Sequence, residues 1–413
     1  MAEQELLPQL FKTEYRKIVS VLCHRFGLEH VETAEDIASD TFLTAAETWG
    51  LKGIPERPEA WLYKVASNKA VDFLRKKAAQ DRRNSDLKTP TEYSCIDLSL
   101  QNIRDSQLEM MFAICQPLLT LSAQVALALR ILCGFGIDEI AGAFLTNRET
   151  IAKRLQRAKE KLRDNNVRLE FPSNPAIRLQ PVLSTLYLLF NEGYYSRHQD
   201  IAIRRDLCLE AMRLALLLTE YPETDLPDTN ALLALMCFHA SRLDARIGTR
   251  GEIIRYDEQN PSQWNAELTD KGHHYFNRAA KGAEAGSYHL QAAIAYWHTR
   301  QEDTTEKWEA ILDLYNRLLI RQYSPVAALN RAYATYKVQG KTAGILEAEK
   351  LKLTHYGPYH HLLGYLYTGE DSAKAITHLQ QALRQSKTQA DRDNIRRDLA
   401  HPDLQTAPTH HPG

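Results

Sequence analysis

The sequence predicts an all-α protein, and two observations support that prediction. Glycine and proline account for only 18 and 16 of the 413 residues, so residues that interrupt helices are sparse. Leucine and alanine recur at three- and four-residue intervals among Lys, Glu and Arg along nearly the whole chain, and this spacing gathers apolar side chains on one face of an α-helix. At about 100 to 200 residues per domain, the chain has room for roughly two to four domains.

Composition narrows the class of protein. The 51 Lys and Arg residues balance 52 Asp and Glu residues, for a net charge of −1, which excludes a polybasic nucleic-acid coat and a strongly acidic tail. The six cysteines form no CxxC pair, which favours reduced thiols over a disulfide frame or a zinc site. The amino terminus lacks the apolar run of a signal peptide, and no apolar run is long enough to cross a bilayer. We therefore expect a cytoplasmic chain without membrane contact, metal or cofactor.

The first predicted domain covers residues 1–83 and contains three helices. An amphipathic pattern covers residues 5–26, a second helix begins after the N-cap residue Thr33, and a third helix covers residues 57–83. The following segment, residues 84–106, is rich in Ser, Thr, Asn and Asp. Such a composition is typical of a linker.

The rest of the chain is also predicted to be helical. Pro172 and Pro175 interrupt the helical pattern after a second domain. Spacing typical of a tetratricopeptide helix pair occurs at residues 329–340 and again at 360–382, although any helical hairpin with small contact residues gives a similar pattern. The predicted divisions are 107–170 for the second domain, 175–300 for a helical extension, 301–400 for tetratricopeptide-like helices and 401–413 for a tail.

A helix-turn-helix is predicted inside the second domain. Ile140 and Ala141 lie on a short helix, a polar turn follows, and Ile151 and Leu155 face inward on the next helix. Residues 147–168 contain eight basic and three acidic residues, a net charge of +5. This charge is a candidate phosphate-binding surface. The alternative is a solvated amphipathic helix, but the turn pattern together with the charge favours DNA binding.

A second basic helix is predicted in the first domain. Residues 64–83 carry seven basic residues and two acidic residues, again a net charge of +5. Asn68, Asp72 and Arg75 are three and four residues apart and share one helix face, where they can meet base edges or phosphates. Three aromatic residues either stack on unpaired bases or belong to the core: Trp61, Tyr63 and Phe73.

Three stretches, in this order along the chain, carry a family resemblance. Residues 34–49, 57–77 and 134–163 resemble regions 2.2, 2.3–2.4 and 4.2 of bacterial extracytoplasmic-function sigma factors, which are group IV of the sigma-70 family. Further stretches resemble the subgroup in which a long, tetratricopeptide-like helical extension follows the two sigma domains. These stretches are residues 108–133, 191–197, 204–218 and 257–264.

The resemblance implies two partners, RNA polymerase core and promoter DNA, and residues that bind them. The core polymerase contacts are its β′ clamp helices and β flap, and the implied core-binding residues are Glu35, Asp36, Asp40 and Phe42. The implied −10 DNA-binding residues are Lys52, Arg57, Asn68, Asp72, Arg75 and Lys76. The first two belong to the loop that, in the family, holds a flipped base. The implied −35 DNA-binding residues are Arg148, Thr150, Lys153, Arg154, Gln156 and Arg157.

Departures from the family pattern limit what can be transferred. Leu145 occupies the position of a turn glycine in many relatives, and Ala152 replaces a basic residue of the recognition helix, so −35 specificity does not carry over. The subgroup's Cys-His-Pro is replaced around Cys115 by Ile-Cys-Gln-Pro, which argues against a metal there.

The extension carries no recognised catalytic pattern. Five titratable residues lie close together in sequence, but they include no HExxH pair and no GxSxG or phosphate-binding glycine motif accompanies them; they are His239, Asp244, Glu252, Asp257 and Glu258. We therefore expect a sigma factor, not an enzyme, that directs promoter-specific initiation. Residues 191–194 and 204–206 are expected to build an intramolecular contact or a regulatory surface. The resemblance implies that the extension regulates the sigma domains. Alternatives are a transcription regulator whose extension is a protein- or peptide-binding or sensing module and, more remotely, an enzymatic extension.

Overall fold

The computed structural model describes residues 2–84, 95–144, 146–194, 201–246, 248, 254–281, 285–386 and 389–405. Within these ranges the protein contains α-helices, short 3-10 segments and one π-helical turn, and no residue lies in a strand. The predicted all-α class is therefore confirmed.

The chain divides into two compact units, Met1–Asp225 and Leu226–Gly413. The helices of the first unit are α1 (Ala2–Phe26), α2 (Val31–Lys52), α3 (Pro58–Asn84), α4 (Leu100–Ile114), α5 (Leu121–Leu127), α6 (Ile137–Ala143), α7 (Arg148–Asp164), α8 (Pro175–Tyr194) and α9 (Ile201–Leu218). Those of the second unit are α10 (Pro227–Ala240), α11 (Leu243–Arg246), α12 (Ala266–Ala279), α13 (Ser287–Trp297), α14 (Thr305–Arg321), α15 (Pro325–Gln339), α16 (Lys341–Glu349), α17 (Gly357–Tyr367), α18 (Ser372–Gln385), α19 (Gln389–Leu399) and α20 (Pro402–Gln405).

Helix α1 lies at the centre of the first unit. Its buried residues include Ile18, Val19 and Leu22, and it packs against α2, α3 and α4. Gly27 follows the helix with φ of 92°, a conformation that favours glycine. Because α2 and α3 belong to the first predicted domain and α4 to the second, one helix contributes to both cores. The two predicted sigma domains therefore share one packing unit.

The connection between these domains is shorter than the predicted 84–106. Helix α4 already begins at Leu100, and the Ser99 side chain accepts a hydrogen bond from the first turn, as an N-cap does. The described part of the connection is also fixed, because Ile96 is buried and its N–H donates to Ser67 Oγ on α3 at 2.9 Å. The start of α4 was assigned to the linker because the exposed residues of its first turn are polar.

Helices α6 and α7 pack as a pair where the sequence predicts a helix-turn-helix. Both begin with side-chain caps. Glu139 accepts the N–H of Gly136 at 2.6 Å, and Asn147 Oδ1 accepts the N–H of Thr150 at 2.8 Å. These bonds satisfy backbone donors that lack partners inside the helix, so the turn has a defined exit into α7. The departure at Leu145 lies outside the described residues.

In the second unit, helices that are adjacent in sequence pack against each other. The pairs include α14 with α15, α15 with α16 and α17 with α18. Gly364 permits a close approach in the last of these pairs, because a Cβ at this position would come within 2.6 Å of Leu379 Cγ. This geometry suits tetratricopeptide-like pairs and other helical hairpins alike, and the tetratricopeptide assignment stays a prediction.

Candidate nucleic-acid interface

Helix α7 separates an apolar face from a polar, mostly basic one. The apolar face is buried and consists of Ile151, Leu155, Ala158 and Leu162. The opposite face is exposed and carries five of the six predicted −35 residues: Arg148, Thr150, Lys153, Gln156 and Arg157. The helix therefore presents charged and amide groups to solvent while its other side anchors it.

Most of these exposed side chains have a local partner. Arg148 pairs with Asp138 at 2.8 Å, Lys153 pairs with Glu149 at 2.6 Å and Gln156 donates to Glu160 at 3.0 Å. Exposed ion pairs contribute only about 0 to 1 kcal/mol, so a DNA phosphate can replace these carboxylates at little cost. Arg157 forms no ion pair with any carboxylate in the described ranges.

Arg154, the sixth predicted −35 residue, is placed differently. Its side chain is half-buried, and its guanidinium carbon lies 5.2 Å from the centre of the Phe144 ring. Its Nη1 is buried and has no hydrogen-bond partner. The cation–π contact ties α7 to the turn that precedes it, so in this arrangement Arg154 supports the helix.

Helix α3 and the segment before it form a second exposed surface. All six predicted −10 residues are exposed: Lys52, Arg57, Asn68, Asp72, Arg75 and Lys76. Within this set Arg75 and Asp72 are 3.9 Å apart, a loose pair. The side chains of residues 81–84 are not described. The described part of α3 therefore offers cations and an amide that are largely unengaged.

The predicted core-binding residues on α2 separate into two pairs. Asp36 and Asp40 are exposed, and Asp40 pairs with Lys69 of α3. Glu35 and Phe42 are buried. The Phe42 ring packs in the core, 5.0 Å from the ring of Phe11. Only two of the four predicted side chains are thus open to a partner in this arrangement.

Comparison with known proteins identifies the part of the chain that contains α2 and α3. Residues 10–80, which hold most of α1 and α3 and all of α2, match the family model of sigma-70 region 2. The chain therefore contains a sigma-70 region 2 domain. Residues 178–280 match a family of unknown function, DUF6596. The predicted −35 residues lie outside both matched ranges.

One relative covers most of the chain. Uncharacterized protein R00370 of Rhizobium meliloti (strain 1021) is 33% identical over 348 residues, which are 82% of this chain and 82% of that protein. The two proteins are therefore homologous over most of their length. No solved structure matches the chain. No helix in the described part of the chain is long and apolar enough to span a membrane.

The region 2 domain contacts the second predicted domain through Glu35. This carboxylate is 8% exposed. Arg130 Nε, on the π-helical turn after α5, lies 2.7 Å from Glu35, and Lys159 Nζ, on α7, lies 3.6 Å from it. One acid of the predicted polymerase-binding face is therefore engaged by two cations from the second domain.

The first part of the extension also binds both sigma domains. On α9, Glu210 forms an ion pair with Arg16 of α1. Arg213, one turn later, donates to the Gln107 side chain and to the Leu132 carbonyl, both at 3.1 Å. Burial lowers the pKa of Arg16, with the positive charge of Arg213 acting in the same direction. Helix α9 thus links α1 to α4 and to the π-helical turn.

Sequence analysis anticipated only part of this network. Asp206, within the predicted contact 204–206, does pair with Lys12 at 3.4 Å. Three arginines were missed, because a charge on an amphipathic helix is normally assigned to the solvent face; they are the buried Arg16 and the half-buried Arg130 and Arg213. The available signal was the position of Arg213 inside an apolar stretch of α9.

The three aromatic residues of α3 have partners inside the protein. The Trp61 ring lies 5.4 Å from that of Trp49, and the Phe73 ring lies 5.0 Å from that of the last residue of α1. Tyr63 donates its hydroxyl proton to Glu14 of α1. Burial first, and then this carboxylate, raises the pKa of Tyr63. The core alternative therefore describes these side chains better than exposed base-stacking platforms.

The titratable groups considered as catalytic or metal-binding are dispersed or buried. In the described ranges no three or more His, Cys, Asp or Glu side chains are placed to hold a metal ion. Burial raises the pKa of Cys115 to about 12, which keeps this thiol protonated. Burial, aided by Arg242, holds the pKa of His239 well below its usual value. Glu252 lies outside the described residues.

Proposed function

We propose that the protein is an RNA polymerase sigma factor that directs promoter-specific initiation and is regulated by its helical extension. The observation that carries this proposal is the pair of exposed polar, mostly basic surfaces on α3 and α7, one of which lies in the sigma-70 region 2 match. Two such surfaces on separate helices suit contacts with two separate promoter elements.

Helix α3 is assigned to the −10 element. Asn68 supplies an amide that can make paired hydrogen bonds with adenine, and Asp72 can accept from a cytosine amino group. Lys52, the last residue of α2, and Arg57, just before α3, are exposed and can neutralise phosphates. We assign the unpaired −10 strand to this surface.

Helix α7 is assigned to the −35 element. Arg148 and Lys153 already engage carboxylates through exposed pairs, and phosphates are equivalent acceptors for these cations. Gln156 and Arg157 are the side chains suited to base edges, because an amide and a guanidinium each form bidentate contacts in the major groove. Arg154 is not assigned to DNA, since it stacks on Phe144.

The packing of the two domains supports regulation. The −10 and −35 elements are centred about 25 base pairs apart, which is roughly 85 Å of duplex at about 3.4 Å per base pair. Helices α2 and α7 are in contact through Glu35 and Lys159, and α-helices of about 17 to 27 residues are only about 25 to 40 Å long. We infer that this closed arrangement opens before both elements are bound, and that α9 stabilises it.

The test is run-off transcription by purified core polymerase supplemented with the full chain on a promoter library. We expect specific transcripts, which Arg157→Ala weakens. Arg168→Ala is the matched control, because Arg168 is also an exposed arginine but follows α7. Absence of specific transcripts together with absence of core polymerase binding would contradict the proposed function.

A further inference from the structure

Arg242, in the second unit, is a buried cation without an acidic partner among the described residues. It lies between α10 and α11 and is 7% exposed. Its guanidinium carbon lies 5.2 Å from the centre of the Tyr256 ring and 6.0 Å from that of Trp264. Within the described ranges its buried Nε has no hydrogen-bond acceptor, and no carboxylate there forms an ion pair with it. Buried charges in proteins are normally paired.

Other buried polar atoms around Arg242 also lack partners. Trp264 Nε1 and His298 Nδ1 are buried and form no hydrogen bond with any residue that the structure describes. Both rings lie near that of Tyr256, at 6.4 Å for Trp264 and 5.0 Å for His298. Since the great majority of buried polar atoms are hydrogen-bonded, several unpaired ones beside an unpaired guanidinium indicate a position for a ligand.

The cations near the site are Arg242 and Lys307, and the acids near Lys307 are Asp303 and Glu302. Burial, with contributions from Arg242 and Lys307, lowers the pKa of His298 to about 3, so this imidazole is neutral at physiological pH. Lys307 donates to the Tyr256 hydroxyl at 2.8 Å and to the carbonyl of Arg300 at 2.7 Å; these acceptors are uncharged. Asp303 already pairs with Lys337.

We propose that Arg242, Trp264 and His298 form a binding site for the anionic group, a carboxylate or a phosphate, of a small molecule. The aromatic rings of Tyr256 and Trp264 lie against the guanidinium, so its hydrogen-bond donors remain for an acceptor group that approaches in its plane. Carboxylates and phosphates bind guanidinium groups through two parallel hydrogen bonds in this way. Arg242 and Trp264 lie in the DUF6596 match, to which this site gives a sensing role independent of DNA binding.

The expected effect on stability follows from linkage. A ligand that binds only the folded protein stabilises it as its concentration exceeds Kd. The test is thermal unfolding of the full chain in sodium phosphate, acetate or succinate, at an ionic strength held constant with sodium chloride. Above Kd, we expect the Tm of the second unit to rise by about 3 °C for each tenfold increase in the bound anion. The phosphate and carboxylate arms distinguish the two chemistries.

Arg242→Gln is expected to abolish this dependence on anion. Arg300→Gln is the matched control, because Arg300 also stacks on an aromatic ring, at 5.5 Å from Tyr296, but is exposed; it should keep the response of the wild type. Equal responses of wild type and Arg242→Gln would overturn the proposal, and so would a wild-type response no larger than that to chloride.

A second measurement decides the matter if Arg242→Gln does not fold. The indole N–H of Trp264 gives a resolved NMR signal that Trp264→Phe identifies by its loss. In the wild type, phosphate or acetate should shift this signal while chloride does not, because the indole would donate to the anion. An indole signal unmoved by all of these anions would overturn the site. Neither measurement involves DNA or polymerase, so its failure is separate from a failure of the proposed function.

Discussion

Helices α3 and α7 carry the same net charge in their sequence segments but differ in how that charge is engaged. On α7, Arg148 and Lys153 pair with neighbouring acids, and Lys159 reaches Glu35 of α2. On α3, the described exposed cations are mostly without partners, and only a loose contact joins Arg75 to an acid. Net charge therefore identifies a candidate DNA-binding helix, whereas the partners of each cation determine how available it is. The predictions below test this difference.

The largest predicted effect is a loss of stability on breaking the contact between α2 and α7. Glu35→Gln removes the carboxylate that pairs with Arg130 and Lys159 and leaves two partly buried cations unpaired. We expect the free energy of unfolding of the first unit to fall by about 2 to 3 kcal/mol. The measurement is urea unfolding of the full chain.

The matched control for Glu35→Gln is Asp36→Asn on the same helix. Asp36 is exposed, so its replacement should change stability by less than about 0.5 kcal/mol. If both variants lose the same stability, the contact between α2 and α7 does not form in solution, and the difference between α3 and α7 disappears with it.

The next effect concerns base recognition by α7. Arg157 has no acidic partner among the described residues and is exposed, so Arg157→Ala should cost about 1 to 3 kcal/mol of discrimination at one −35 base pair, roughly 5- to 150-fold. The measurement compares polymerase binding to promoters with intact and altered −35 elements. An equal loss on both promoters would assign Arg157 to a phosphate.

Part of this site could be predicted from the sequence alone. Periodicity predicted the helices, the helix-turn-helix and the exposed faces of α3 and α7, because each depends on residues three or four positions apart. It did not predict that Glu35 and Phe42 are buried or that Arg213 contacts Gln107. Those contacts join residues far apart in the chain, and periodicity indicates which face is buried but not which helix covers it.

A smaller effect is expected on the salt dependence of promoter binding, which should differ between unpaired and paired lysines. Lys52→Ala removes a cation that has no ion pair within the described ranges, so the slope of log K against log salt concentration should become shallower by about 0.7 to 0.9. Lys153→Ala should change the slope less, because Lys153 already pairs with Glu149 at 2.6 Å. Salt titrations of promoter binding provide the measurement. Equal changes in slope would mean that the local pair does not compete with phosphate.

The smallest effect concerns pH and the attachment of α1 to α4. His24 Nε2 lies 2.9 Å from Glu109 Oε2, and this hydrogen bond raises the pKa of His24 although burial opposes it. Because the pKa of His24 is higher in the folded protein than in the unfolded chain, the protonated imidazole stabilises the fold. This stabilisation is complete below the unfolded pKa of about 6.5 and is lost as the pH rises through the folded pKa. Wild type should therefore lose stability relative to His24→Gln as the pH rises above about 6.5 in urea unfolding. Because the side chain of His24 is 38% exposed, solvent screens the pair and the difference should be small. Parallel pH profiles would mean that the α1–α4 contact does not depend on this charge.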